Sequence, residues 1–364
     1  IFEADQAGKS KNAGALRCEI TKVKPALNFS FRYQAGYRVT IPLRQLGSKN
    51  EMLYIGFRVK PDEENAKPTY FLQVTHLGRL PPQALTPKSK FEGVFDGGFF
   101  LGPGSYDIDW ILQDSLGRSC RTSWRIDHHP KDEGFTEFLG ANEIASLRLN
   151  RLAGIRDGGD KPYRIAVLLH AAPQYPRKSV LSGFDVSMLM SSLASLLEGT
   201  PFAAASITAF SLQKQRELFH ADRLDRRSFR ELSRSLEQVE QATVDWSTLK
   251  NPKGKADLMV QLVNRELASA KPPDAIVIMG PNSWNTGKIS AGRLEKSTLS
   301  PPVFYLRHDL FPTMFPFRDT GEELTRAAGG KVINIRGPKD LADALRKIEA
   351  QLESRAKVPA PSDQ

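Results

Sequence analysis

The sequence predicts two domains, an N-terminal antiparallel β-sandwich followed by a C-terminal doubly wound α/β domain. The chain has 364 residues, which is long enough for two hydrophobic cores. Between residues 16 and 128, short runs alternate between apolar and polar residues and are broken by Gly and Pro, as in antiparallel strands with one buried face. Between residues 162 and 354, apolar strand-length runs alternate with amphipathic helical segments, which is typical of a parallel sheet covered by helices.

Seven strands are predicted in the first domain, and the last two form a hairpin. Tyr106, Ile108, Trp110 and Leu112 share one face, and the following Ser115-Leu116-Gly117-Arg118 supplies a turn. This hairpin resembles the last two strands of immunoglobulin-like domains, where a Gly-x-Tyr start and an Asp-x-x-Gly turn recur. The predicted strands are Arg17 to Val23, Tyr37 to Pro42, Met52 to Val59, Thr69 to His76, Lys90 to Phe95, Gly104 to Asp114 and Ser119 to Ile126.

The two cysteines, Cys18 and Cys120, fall in the first and last of these strands. A sandwich often brings its first and last strands side by side, so a disulfide is one reading and two buried thiols the other. A disulfide would place the protein outside the cytoplasm, in the periplasm or as a secreted protein. The chain starts at Ile1 without a Met, and removal of a signal peptide is one expectation for this.

Three segments are expected to lie outside the two domains. Residues 1–15 and the Pro-rich tail 355–364 are predicted to be flexible. Residues 129–161 are predicted to be a linker that contains a short helix from Asn142 to Ala153. The adjacent pair His128 and His129 could ligate a metal, but neighbours on an extended chain point to opposite sides, which favours plain linker polarity.

The second domain begins with Arg164 to Leu169, a continuous apolar run that predicts a central strand buried on both faces. Amphipathic helices and further strands follow it, and the last helix closes the domain. The predicted elements are a helix from Ser182 to Gly199, strands Ala203 to Leu212 and Glu217 to His220, helices Asp225 to Glu240 and Asp257 to Ala268, strands Asp274 to Gly280 and Pro302 to Leu306, and a helix from Asn334 to Leu352.

The end of this domain resembles the von Willebrand factor A (VWA) family. The segment Leu324-Thr325-Arg326-Ala327-Ala328-Gly329-Gly330 is similar to the family's step into its last strand, and Asn334 to Leu352 is similar to its closing helix. The order of strands and helices from Tyr163 to Glu353 also agrees. The resemblance implies an open sheet that binds ligand at the carboxyl ends of its strands.

The resemblance also implies that the metal site of this family is absent. Family members hold a divalent cation with an Asp-x-Ser-x-Ser run, a Thr and a later Asp, which supply the oxygen ligands that Mg²⁺ prefers. We therefore expect no metal and no cofactor, and we expect Asp185 and Asp257 to cap helices. The corresponding positions here are His170, Ala172 and Gln174 for the run, Lys255 or Ala256 for the Thr, and Gly280 or Pro281 for the Asp.

A polar, partly aromatic crevice is expected to remain at this place. Trp284 either anchors its own loop or presents its ring to a partner. His170, at the end of an apolar strand, is expected to be a hydrogen-bonded structural residue. The candidate binding residues are His170, Gln174, Tyr175, Asn282, Ser283, Trp284, Arg307, His308 and Asp309.

These observations predict a non-catalytic, extracytoplasmic protein-interaction or self-assembling structural module, whose partner is a protein or further copies of the chain. The alternative is a hydrolase that uses His170, His308 and Asp309 as an acid–base cluster beside a nucleophile such as Ser283. The Gly-x-Ser-x-Gly motif and the phosphate-binding Gly-rich motifs are absent from the sequence.

The formal charge of +10 would favour an acidic partner, but the basic residues are interleaved with acidic ones. Between Lys214 and Glu237, for example, five carboxylates separate seven Lys and Arg residues. No specific nucleic-acid binding is therefore expected. No run of residues approaches the length and apolarity of a membrane span.

Overall fold

The computed structural model describes residues 15–46, 52–78, 80–130, 139–147, 163–175, 181–200, 202–238, 250–251, 253–283, 289–295, 300–311 and 318–356. The chain divides into two compact units, Ile1–Leu147 and Arg148–Gln364. The first unit contains antiparallel sheets, and the second contains a mixed sheet with helices. Two units of these classes agree with the predicted architecture.

Eight described strands form two four-stranded sheets in the first unit. One sheet has the order β1-β2-β5-β8 and the other has the order β4-β3-β6-β7. All neighbouring strands within them are antiparallel. The strands are β1 (Glu19–Leu27), β2 (Tyr33–Pro42), β3 (Met52–Pro61), β4 (Thr69–His76), β5 (Glu92–Leu101), β6 (Gly104–Asp114), β7 (Ser119–His128) and β8 (Ile144–Ser146).

One apolar core is shared by the two sheets. It contains alternate residues of β2 and β5 from one sheet and of β3 and β6 from the other. The predicted inward face of β6 is part of it, because Tyr106, Ile108, Trp110 and Leu112 are all buried. Alternation of apolar and polar residues therefore determines which face of each strand is buried.

Strand β5 is longer than its predicted range of Lys90 to Phe95. It runs from Glu92 to Leu101 and continues through Gly97 and Gly98. A Cβ atom at Gly97 would collide with the ring of Tyr37, and one at Gly98 would collide with the carbonyl oxygen of Ala35. These glycines therefore allow β2 to pack closely against β5.

Cys18 and Cys120 form a disulfide with a Cα–Cα distance of 6.3 Å. The Leu16 N–H also donates to the Ser119 carbonyl at 3.0 Å, so the segment before β1 lies beside the start of β7. Of the two readings that the sequence leaves open, the structure has the disulfide.

The helix predicted from Asn142 to Ala153 is wrong over its first residues. Ile144–Ser146 is strand β8, which pairs with β5 from Phe99 to Leu101. The spacing of Ile144 and Leu147 resembles a helical stripe. Pairing with the edge of β5 instead satisfies the main-chain hydrogen-bonding groups of this segment. Part of the predicted linker 129–161 therefore belongs to the first unit, and residues 148–153 lie outside the described residues.

The second unit contains a six-stranded sheet with the order β11-β10-β9-β12-β13-β14. Edge strand β11 runs antiparallel to β10, and the other neighbours are parallel. The strands are β9 (Tyr163–His170), β10 (Phe202–Ser211), β11 (Arg216–Ala221), β12 (Ala275–Pro281), β13 (Val303–His308) and β14 (Lys331–Ile335). The helices are α1 (Gly183–Gly199), α2 (Arg226–Glu237), α3 (Gly254–Leu267), α4 (Thr320–Ala327) and α5 (Pro338–Ala356).

Capping side chains set the start of several helices. Ser182 and Asp185 form a capping box at α1, as expected for Asp185. Asp257 is not a cap, because it lies inside the first turn of α3 and accepts from Arg293 at 2.6 Å. The closing helix starts at Pro338 instead of Asn334, since Asn334 belongs to β14.

The ends of the second unit also differ from the prediction. Helix α5 includes Arg355 and Ala356, which were assigned to the flexible tail, and residues 357–364 lie outside the described residues. Among the described helices, none is both long enough and apolar enough to cross a membrane.

Candidate binding site at the carboxyl ends of the second sheet

Three parallel strands of the second sheet have their carboxyl ends side by side, at the end of the sheet where the site was predicted. β9 ends at His170, β12 at Pro281 and β13 at His308, and Pro281 is the register partner of His308. The segments that follow carry the candidates Gln174, Tyr175, Asn282, Ser283 and Asp309. The structure therefore places these candidates together at the carboxyl end of the sheet. Trp284 lies outside the described residues.

The two candidate histidines point to opposite faces of the sheet. His170 follows Ala166 and Leu168, which pack against α3, and its Nδ1 lies 2.9 Å from the carbonyl oxygen of Pro281. His308 has the opposite parity to Tyr305 and points to the α1 face, where its Nε2 lies 3.1 Å from the Ser192 hydroxyl. These residues do not converge, so the geometry of the acid–base cluster with Asp309 is not formed.

Both histidines are buried and neutral. Burial lowers the pKa of His170 to about 4, and the nearby Lys255 contributes to this lowering. Burial also lowers the pKa of His308 to about 4. The ring of His170 stacks on Phe210 at a centroid distance of 5.4 Å. A neutral, packed imidazole with a main-chain partner agrees with the structural role expected for His170.

A cationic side chain stands near the position where the family resemblance places a Thr ligand. Lys255 lies in the first turn of α3, is half-buried and has a pKa lowered by this burial. Its charge acts on His170, the residue that the resemblance aligns with the first ligand of that family. A positive charge at this place opposes the binding of a divalent cation. Within the described ranges, no group of three His, Cys, Asp or Glu side chains could hold a metal ion.

Gln174 helps to hold the loop after β9 against α1. Its main-chain N–H donates to the Asp185 carboxylate at 2.9 Å, and the Ser182 N–H donates to the other oxygen at 2.8 Å. The side chain of Gln174 is buried, and its Nε2 has no hydrogen-bond partner among the residues that the structure describes. The carboxylate of Asp185 therefore fixes the loop that carries Gln174 and Tyr175.

Arg307 and Ser283 belong to a polar network on the α4 side. Arg307 donates to Glu322 at 2.8 Å and to Asn334 at 2.9 Å. Asp319, the N-cap residue of α4, accepts from the main-chain N–H groups of Ser283 and Gly321, each at 3.1 Å. This network connects the loop after β12 to the start of α4.

Asp319 is the residue of this network that sequence reasoning missed. It is 2% exposed, and burial raises its pKa to about 6. The pattern Asp319-Thr320-Gly321-Glu322, a capping residue followed three positions later by Glu, is a signal that could have identified it. Asp319 Oδ2 lies 3.9 Å from Arg307 Nη1. The two residues are twelve positions apart and belong to different elements, so only the tertiary structure brings them together.

Two exposed aromatic rings stack on each other in the segments that follow β9 and β13. Tyr175 and Phe311 have a centroid distance of 4.0 Å and an interplanar angle of 23°. Their exposed fractions are 44% and 40%, which is high for rings of this size. Phe184, at the start of α1, is 56% exposed and precedes Asp185, which anchors the Tyr175 loop. We call Tyr175, Phe311 and Phe184 the aromatic rim.

No protein-family model matches the chain, and no curated protein matches it. Among solved structures, the putative ApaA protein from Bordetella pertussis is 12% identical, with a TM-score of 0.20, and 33% of this chain and 99% of that chain are covered. The sporulation control protein Spo0M from Bacillus subtilis is 17% identical, with a TM-score of 0.17 and coverages of 32% and 51%. Beta-glucuronidase 2 from Bacteroides uniformis is 9% identical, with a TM-score of 0.20 and coverages of 80% and 33%. TM-scores this low carry no argument about the fold or function of this chain.

Proposed function

We propose that the chain is a non-catalytic, extracytoplasmic protein-interaction module, in which an immunoglobulin-like sandwich precedes a VWA-like domain that works without a metal ion. The aromatic rim is the observation that carries this proposal. Tyr175 and Phe311 expose large apolar surface at the edge where open α/β sheets bind ligands. Exposed aromatic side chains of this kind are enriched among the residues that dominate protein interfaces.

The strand order of the second sheet supports the VWA-like part of the proposal. The antiparallel edge strand β11 is joined by a hairpin to β10, and the central strand β9 lies between β10 and β12. The family resemblance implies this arrangement. The positions that would hold the ion are occupied by neutral His170 and the half-buried cation Lys255. We therefore propose that a partner contacts the rim directly.

The disulfide supports the extracytoplasmic location. A bond between Cys18 and Cys120 persists in oxidising compartments and is rare in the cytoplasm. The hydrolase alternative lacks a comparable observation, because His170 and His308 each bond to a separate partner on opposite faces of the sheet. A neutral buried histidine that is held in this way has no route to a substrate hydroxyl or water.

The proposal is tested by comparing partner binding of the wild-type chain with that of a Tyr175→Ala/Phe311→Ala variant. If the rim is a binding hot spot, truncation costs at least about 2 kcal/mol, which weakens binding about 30-fold. The matched control is Leu116→Ala, which removes an exposed apolar side chain from the β6–β7 turn. Co-purification from the extracytoplasmic fraction, followed by titration of the recovered protein, measures the effect.

Unchanged binding by the double variant would refute the role of the rim. The proposal that the domain works without a metal ion is tested separately. The melting temperature and the light-scattering mass are measured in millimolar Mg²⁺ and in a chelator. We expect both quantities to be independent of Mg²⁺. A rise in melting temperature with Mg²⁺ would contradict the proposal and support metal-dependent adhesion.

A further inference from the structure

We infer that β4 is a self-pairing edge, through which two copies of the chain join their β4-β3-β6-β7 sheets into one eight-stranded antiparallel sheet. This inference takes up the self-assembly that the sequence predicts and goes beyond the proposed function, which concerns a partner at the aromatic rim. It uses a surface of the first unit, whereas the aromatic rim belongs to the second unit.

Within the part of the chain that the structure describes, one hydrogen-bonding edge of strand β4 has no partner strand. It pairs with β3 from Thr69 to His76 and is the first strand in its sheet. The register with β3 runs without a shift from Met52 to Val59, so the strand has no bulge. An edge of this kind presents unpaired N–H and C=O groups to another strand.

The other edge strands carry features that oppose pairing, whereas β4 does not. β1 has Lys22, Lys24 and Pro25 and a register shift after Val23. β7 has two arginines, β11 has Arg and Glu, β14 has Lys331, and β8 is three residues long. β4 is Thr-Tyr-Phe-Leu-Gln-Val-Thr-His, without Asp, Glu, Lys, Arg, Pro or Gly. Among the described edge strands of five or more residues, it is the one that lacks such protection.

The outward side chains of β4 form an exposed apolar row. Tyr70, Leu72 and Val74 have exposed fractions of 56%, 62% and 46%. They alternate along the strand and therefore lie on one face of the sheet. Tyr54 of β3 is the register partner of Val74 and is half-buried, so the apolar surface continues onto β3. Contiguous apolar surface on an edge strand marks an interaction site.

The inward side chains hold β4 in place. The Phe71 ring stacks on Phe57 at 4.7 Å between centroids, and the Tyr37 hydroxyl lies 3.1 Å from Gln73 Oε1. Because the strand is already ordered, pairing costs little conformational entropy at this surface. A preformed edge of eight residues is therefore available to a partner strand.

The sequence of β4 is complementary to itself when a two-fold axis passes through Leu72. In this register Leu72 faces Leu72 of the second copy, Tyr70 faces Val74, and Thr69 faces Thr75. Aromatic rings opposite β-branched residues and Thr opposite Thr are favourable cross-strand pairs. Residues 69–75 place no charged side chain in the contact, and Arg58, the register partner of Tyr70 on β3, is already paired with Asp109, so no charge is buried without a partner. This self-complementarity identifies a second copy as the occupant, with an isologous interface.

The inference is tested by the mass of the full chain in solution, measured by sedimentation and light scattering up to about 100 µM, a concentration that detects micromolar association. We expect a concentration-dependent rise from 40.5 kDa to twice that mass. Leu72→Lys places two ammonium groups opposite each other at the axis and should raise the dimer Kd at least about 30-fold. Leu72 is exposed, so the fold should tolerate the change.

Two controls separate this inference from the proposed function. Leu116→Lys adds the same charge at a side chain that is 71% exposed, and it should leave the dimer intact. Tyr175→Ala/Phe311→Ala should also leave it intact. Hydrogen exchange of residues 69–76 should slow with increasing protein concentration. A wild-type monomer at the highest concentration, a dimer that survives Leu72→Lys, or concentration-dependent protection elsewhere would each overturn the inference, and none of them bears on the aromatic rim.

Discussion

Two buried histidines should make the second unit sensitive to acid. His170 and His308 are 4% and 1% exposed, and each has a pKa of about 4 in the folded protein against an ordinary value of 6.5. A group with a depressed pKa binds protons more readily when the chain is unfolded. The stability that it contributes is therefore fully present above pH 6.5 and is lost as the pH falls towards 4.

The size of the effect follows from these pKa values. Between pH 7 and pH 5, each histidine lowers the free energy of unfolding by about 2 kcal/mol. Asp319 acts in the opposite direction, because its pKa is raised from 3.8 to about 6 and the folded protein takes up its proton first. Its protonation raises the free energy of unfolding by about 1 kcal/mol over the same range, which leaves a net loss of about 2 to 3 kcal/mol.

Urea titrations at pH 7 and pH 5, followed by hydrogen-exchange mass spectrometry, separate the two units. The urea midpoint of peptides from β9 to β14 should fall by about 1 M, for a denaturant slope of about 2 kcal/mol per M. In His308→Gln, where the imidazole is replaced by an amide that cannot gain a charge, the loss between the two pH values should shrink by about 2 kcal/mol. A wild-type midpoint that is equal at both pH values, or an unchanged pH dependence in His308→Gln, would refute this reasoning.

Further predictions concern other buried groups. Asp319→Asn, which keeps a capping side chain but cannot ionise, should be about 3 kcal/mol more stable than wild type above pH 7 and equal to it near pH 4, as measured by urea titration. Leu193→Ala truncates a side chain with 0% exposure in α1 and should cost about 2 to 5 kcal/mol, which chemical denaturation will detect. Reduction of the disulfide between Cys18 and Cys120, whose positions are 102 residues apart, should lower the stability of the first unit by about 2 to 5 kcal/mol in calorimetry with and without reductant. Gly97→Ala forces a Cβ into the Tyr37 ring and should cost about 1 to 3 kcal/mol in the same assay.

Much of the fold was predictable because local sequence patterns specify the same strands and helices that the tertiary structure contains. The apolar alternation of β6 identifies a strand with one buried face. The continuous apolar run of β9 identifies a strand that is buried on both faces. Ser182 and Asp225 mark the starts of α1 and α2 through their capping side chains. These signals lie within a few residues of the features that they predict.

The predictions were wrong where a distant segment decides the local structure. Ile144–Ser146 is a strand because its main chain pairs with the edge of β5. The sequence of this segment does not indicate that this edge will lie beside it. Gly97 and Gly98 stay within β5 because Tyr37 and Ala35 of the neighbouring strand need the space. Pairing partners that are distant along the chain cannot be read from the composition of either segment.

The same distinction holds for the candidate site. The sequence alone identified the strand ends that carry His170, Ser283 and His308. Only the tertiary structure decided that the two histidines face opposite sides of the sheet and that Asp319 joins the Ser283 loop. Strand ends follow from local periodicity, whereas the direction of a side chain and its partners depend on register and on which helix covers each face.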